Sequence, residues 1–143
     1  MPEARRFSQL SPARQTLVRG LQAVNFGELQ GIQIQDADPM FDDTSVVILD
    51  VKLDKEEMSR PELGLADFAL GAEVLRLMCW LDELKNGTIQ RLEVRAGIPR
   101  RLLFASRLLE VLSGFGVVNL SDFPNGLSAN EAETFLRALH WGA

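Results

Sequence analysis

Apolar and polar positions divide the 143-residue chain into segments of two different periods. Ser11-Pro12 opens the first: the serine is a helix cap, and the proline takes the first helical position, where its missing N–H costs nothing. Leu17, Val18, Leu21 and Val24 then share one face at helical spacing, and Asn25 and Gly27 end the run because both tolerate left-handed backbone. From Glu28 to Gln35 the period drops to two. Ile32 and Ile34 alternate with Gln33 and Gln35, which predicts a half-buried strand. Leu29 is out of phase with Ile32, and a bulge at Gly31 restores the phase by adding one residue. Asp36-Ala-Asp-Pro39 predicts a turn into a return strand at Pro39-Met-Phe, and Asp42-Asp43 a second turn. Thr44 to Asp54 reads as the clearest strand: Val46, Val47 and Ile48 lead into Leu49, Val51 and Leu53 alternating with Asp50, Lys52 and Asp54. One face of it should be inward and one in water, giving a three-stranded meander.

Lys55 to Arg60 is a charged linker. Ser59-Arg60-Pro61-Glu62 has the form of a capping box, with Asp67 as an alternative cap, and a long helix is expected from there to Lys85. Phe68, Gly71, Val74, Leu75, Met78, Leu81 and Leu84 form one stripe of it, and Leu70, Leu77 and Trp80 make the other side apolar. Such a helix is central to a core or pairs with a second copy of itself. After Pro99 a helix is expected from about Arg100 to Ser113, carrying Leu102, Leu103, Ala105, Leu108, Leu109 and Leu112 and stopped by Gly114 and Gly116. Val117 to Leu120 suggests a short strand, and Ser121 to Leu127 a loop. Ser128-Ala-Asn-Glu131 is a capping box for a last helix with Phe135, Leu136, Leu139 and Trp141.

The stretch Gly87 to Pro99 supports two readings. It echoes Gly27 to Pro39: Gly27 aligns with Gly87, Leu29 with Ile89, Gln30 with Gln90, Ile32 with Leu92, Ile34 with Val94 and Pro39 with Pro99. Each strand breaks phase at the same place, and a helical run precedes each. On this reading the unit is a helix followed by a hairpin, present twice. The pattern Gly-x-[Ile/Leu]-x-x-[Ile/Leu]-x-[Ile/Val] after a helix and before a turn resembles the YezD-like family of small uncharacterised bacterial proteins. It covers roughly residues 15–40 and 75–104, and members usually carry Gly where this chain has Ala37. The resemblance implies a helix followed by a short hairpin and brings no assigned chemistry. On the second reading Thr88 caps the first helix of a helix-turn-helix, with Ile89, Leu92 and Ala96 inward, Gly97 in the turn and Pro99 starting the second helix, as in winged-helix regulators. Arg91, Arg95, Arg100, Arg101 and Arg107 are then the nucleic-acid-binding residues, facing only Glu93 within residues 88–107.

Composition narrows the function classes. With 20 Asp and Glu against 15 Lys and Arg, the net charge of −5 argues against a general nucleic-acid or anionic-membrane binder. Cys79 is the only cysteine, so an intrachain disulfide is impossible and a reducing, cytoplasmic setting is expected, with the thiol in the core. No stretch reads as a bilayer span or leader. The single histidine, His140, stands near the chain end, and no phosphate loop, nucleophile elbow or His/Cys metal pattern is present. Asp36, Asp38, Asp42 and Asp43 are explained by turn chemistry rather than by a cation. The expectation is therefore an α+β chain of helices and a small antiparallel sheet. Residues 1–58 hold a helix and the meander; residues 59–143 hold the long helix, the hairpin or helix-turn-helix, and C-terminal helices, all in one compact domain. It should be non-enzymatic, without cofactor, catalytic residue or metal, and act by self-association through the wide helix and Trp141 or by binding another protein. The alternative is a DNA-binding regulator.

Overall fold

Ser11 Oγ accepts the amide of Arg14 at 3.2 Å and starts α1 (Pro12–Val24), as its sequence dictates. The computed structural model describes residues 4–56, 60–117, 119–122, 124–126 and 128–138. It has α+β architecture: four α-helices and a six-stranded antiparallel sheet among these residues. The chain divides into two compact units, Met1–Ala105 and Ser106–Ala143.

The first unit holds the whole sheet. After α1 come β1 (Phe26–Gln30), β2 (Ile32–Gln35), β3 (Asp38–Met40) and β4 (Val46–Leu49). Then follow α2 (Ala72–Leu84), β5 (Gly87–Arg95) and β6 (Ile98–Ala105). Gly31, with φ of 70°, separates β1 from β2 at the expected bulge. The sheet order is β3-β2-β5-β1-β4, with β6 on β5. Thus β1 and β2 are consecutive parts of one line, paired with β5 on one side and with β4 and β3 on the other. The core is the layer between the helices and this sheet: Leu17, Val18 and Leu21 from α1, Leu77, Met78 and Leu81 from α2, and Ile32, Ile34, Ile89, Leu92 and Val94 from the strands.

The same local features stand sixty positions apart. Helix α1 starts at Pro12 and α2 at Ala72, and both have 13 residues. Buried Leu17, Val18 and Leu21 correspond to buried Leu77, Met78 and Leu81. Positive φ occurs at Asn25 and Lys85 after the helices, at Gly27 and Gly87 at the strand starts, and at Asp36-Ala37 and Ala96-Gly97 in the two hairpin turns. The strand register follows the same shift. Gly27 pairs with Val94 and Ile34 with Gly87, Glu28 with Glu93 and Gln33 with Thr88, Leu29 with Leu92 and Ile32 with Ile89. Each of these pairs becomes its companion when both members are shifted by sixty.

Several expectations are corrected. Residues 87–105 form a hairpin, so the helix-turn-helix is not formed and the helix expected from Arg100 begins only at Leu108. The reason lies in pairing: β5 has partners on both sides, β1 and β2 on one and β6 on the other. The strand expected over Thr44–Asp54 is regular only over β4, and the meander is not formed. Asp42 Oδ1 accepts the Thr44 amide at 2.8 Å and the Asp42 carbonyl accepts the Ser45 amide at 3.0 Å. This turn interrupts the return strand but leaves it on the same side of the sheet, so β4 pairs with β1. The long helix starts at Ala72; Pro61–Gly64 is a short 3-10 turn and Ser59 is outside the described residues. Asp67 instead accepts the Ser8 amide and the Arg6 guanidinium. Cys79 is exposed, because Leu77, Met78 and Leu81 carry the buried side of α2.

In the second unit α3 spans Leu108–Gly114 and α4 spans Ala129–Ala138. The Ser128–Glu131 capping box forms in both directions, at 3.2 Å each. Leu120 begins a 3-10 turn where a strand was expected, and Val118 lies outside the described residues, as do Leu139, His140 and Trp141.

Candidate interaction surfaces

Two surfaces of the first unit are unusual for their chemistry. The first is the β4 edge of the sheet. Val46, Val47, Ile48 and Leu49 are consecutive apolar residues, and alternation within a strand points them to opposite faces. All four are exposed, between 46% and 57%. The run continues with exposed Val51 and Leu53, and Met40 and Phe41 precede it. Of the eleven large apolar side chains exposed among the described residues, eight lie from Met40 to Leu53. The expected alternation of Leu49, Val51 and Leu53 with Asp50, Lys52 and Asp54 is not realised, since the regular strand ends at Leu49 and all four of its residues are exposed.

The β6 edge differs. It carries Pro99, which has no amide hydrogen to offer, and Arg100 and Arg101. Charge and proline are the usual means of keeping an open edge from pairing with another chain. Residues 46–49 have neither.

The second surface is a groove of about 600 Å³ between α2 and β6. Leu77, Trp80 and Leu84 line it from the helix, and Leu92, Leu102 and Phe104 from the sheet. Arg76, Arg100 and Arg101 contribute three guanidinium groups to its lining, against one carboxylate, Glu73. The register shift in the β5–β6 ladder between Glu93 and Val94 leaves Arg100 without a ladder partner, and Arg100 and its neighbour Arg101 both line the groove.

The five arginines expected to bind nucleic acid are thus dispersed. Arg91 forms a two-pronged pair with Glu28, Nη2–Oε1 at 2.9 Å and Nε–Oε2 at 3.1 Å. That bond holds the Glu28 carboxyl below the usual carboxylate range, helped by the Gln30 side chain, and raises Arg91. It also offsets the like-charge pairing of Glu28 with Glu93 across β1 and β5. Arg95 stands opposite Phe26 and Ile98 in the ladders, and Arg101 opposite Glu93. Only Arg100 and Arg101 share a site, the groove, and Arg107 precedes α3 in the second unit. Arg76, which completes the groove, was passed over because it sits within an apolar helix.

Of the four turn aspartates, Asp42 caps its own turn. Asp42 is lowered by the Thr44 hydroxyl and amide, and Asp38 accepts from Ser11 Oγ at 2.7 Å. Among the described residues no three His, Cys, Asp or Glu side chains could hold a metal ion. No helix among them is long and apolar enough to cross a membrane. No protein-family model matches the chain, and no curated protein or solved structure gives a significant match.

Proposed function

We propose that this chain is a non-enzymatic interaction module that associates with a second copy of itself through β4. The observation that carries the reading is the uninterrupted, half-exposed apolar strand Val46–Leu49 at an open sheet edge. Such an edge presents unpaired backbone donors and acceptors as a template for another strand. A second copy suits it because the four residues are uncharged and self-complementary. The sixty-residue correspondence supports a further element of the reading: residues 11–40 and 71–100 are two copies of one helix–hairpin unit, already paired about their central strands within a single chain.

Sedimentation equilibrium tests this. The expected result is a concentration-dependent dimer that Ile48→Lys converts to monomer while far-ultraviolet circular dichroism stays unchanged and the urea midpoint loses its concentration dependence. Ile48 is half exposed, so a lysine there is tolerated by the fold. A monomer at every concentration, or a dimer indifferent to Ile48→Lys, would remove the proposal.

A further inference from the structure

We infer that the groove between α2 and β6 binds a free single-chain anionic amphiphile of the long-chain carboxylate class. This is independent of the β4 edge and uses different residues.

Three observations converge. The walls are apolar and large: Leu77, Trp80, Leu84, Leu92, Leu102 and Phe104. The volume, about 600 Å³, lies in the range of small-ligand sites, roughly 300–1,000 Å³. The charge in the lining is the third. Three guanidinium groups meet one carboxylate there, in a chain whose net charge is −5. Neither Arg76 nor Arg100 has an ion pair or hydrogen bond among the described residues, whereas Arg6, Arg14, Arg60, Arg91 and Arg137 are each paired. Glu73 sits in the first turn of α2, where a carboxylate is favoured by the helix dipole, and Arg101 stands opposite Glu93. Arg76 and Arg100 are therefore available to a ligand, with Arg101 beside them in the lining. A planar guanidinium matches a carboxylate with two parallel hydrogen bonds, and the acyl chain would cover Trp80 and the leucines.

Trp80 supplies the readout. The full chain carrying Trp141→Phe is titrated with hexanoate, octanoate, decanoate and dodecanoate below their micelle concentrations, following Trp80 fluorescence. The expected result is saturable one-site binding that tightens by about tenfold for each two added methylenes. Arg76→Ser/Arg100→Ser should weaken decanoate at least tenfold with unchanged circular dichroism. Decanol should bind more weakly than decanoate to the parent and equally to the double variant. Absence of saturable binding to any chain length overturns the inference. So does equal affinity for decanol and decanoate in the parent, which would make the site apolar without head-group recognition. A response seen only with anionic phospholipid vesicles would also overturn it, assigning the arginines to a membrane surface.

Discussion

The amide of Ala37 donates to the carbonyl of Lys85 at 2.9 Å, tying the first hairpin turn to the end of the second helix. Sixty positions on, with the roles exchanged, the amide of Gly97 donates to the carbonyl of Asn25 at 2.9 Å. Each turn therefore closes over the helix end of the other half. The two turns share their backbone but not their chemistry. Ala37 has φ of 68° and Gly97 φ of 73°, and only glycine takes that conformation without strain. Ala37→Gly should raise stability by about 0.5–1 kcal/mol, the relief of left-handed strain exceeding the added freedom of the unfolded chain. Urea unfolding of the two proteins measures it; an unchanged or lower midpoint would show that Ala37 is not strained.

Gly27 is required for a different reason. A Cβ there would stand 2.0 Å from the carbonyl oxygen of Ile48, and φ is 152°. Gly27→Ala must push β4 away from β1 or distort β1, at a cost of about 2 kcal/mol or more. Hydrogen exchange should show the amides of Ile48 and Asp50, which face β1, losing protection before those of β5. Retained protection along β4 would mean that the strand accommodates the methyl.

The Glu28–Arg91 pair makes a separable prediction. Arg91→Ala leaves Glu28 beside Glu93 without its cation and should lower the urea midpoint slightly. Adding Glu28→Gln should recover most of that loss, because the like-charge contact disappears with it. Equal stability of the single and double variants would show that the pair acts by packing alone.

Acid should release the N-terminal segment before the core. Asp67 is held down to about 2 by the Arg6 guanidinium first and then by the Ser8 amide. The folded value lies below the ordinary value of about 3.9, so its contribution is complete above pH 4 and is lost as pH falls toward 2. Asp67→Asn should abolish this part of the pH dependence and leave the parent and the variant alike near pH 2. Carbon-detected titration of the Asp67 carboxyl checks the value directly; an apparent pKa near 4 would contradict the contact.

Much of the fold is legible in local chemistry. The Ser11 cap, the face of α1, the Gly31 bulge, the turn after Gln35 and the Ser128–Glu131 box can all be read from neighbouring residues. Each depends on interactions within four or five positions along the chain. Residues 98–105 are not legible in that way. Leu102, Leu103, Ala105, Leu108, Leu109 and Leu112 satisfy helical spacing, but the first three are taken into β6 because β5 offers a full ladder. The groove is half visible in the sequence: Arg100 and Arg101 are among the five candidate arginines, but Arg76 comes from a helix that only packing brings alongside β6.

What the sequence determined by itself is therefore the local grammar: how the first and last helices are capped, where the first strand breaks phase, and which segments echo each other sixty residues apart. Tertiary structure decided which strands became edges and which arginines shared a site. Burial depends on what covers a residue, and the covering layer comes from distant parts of the chain. Val46–Leu49 is as apolar as an inner strand, yet lies exposed and contributes no side chain to the core formed by α1, α2 and the central strands.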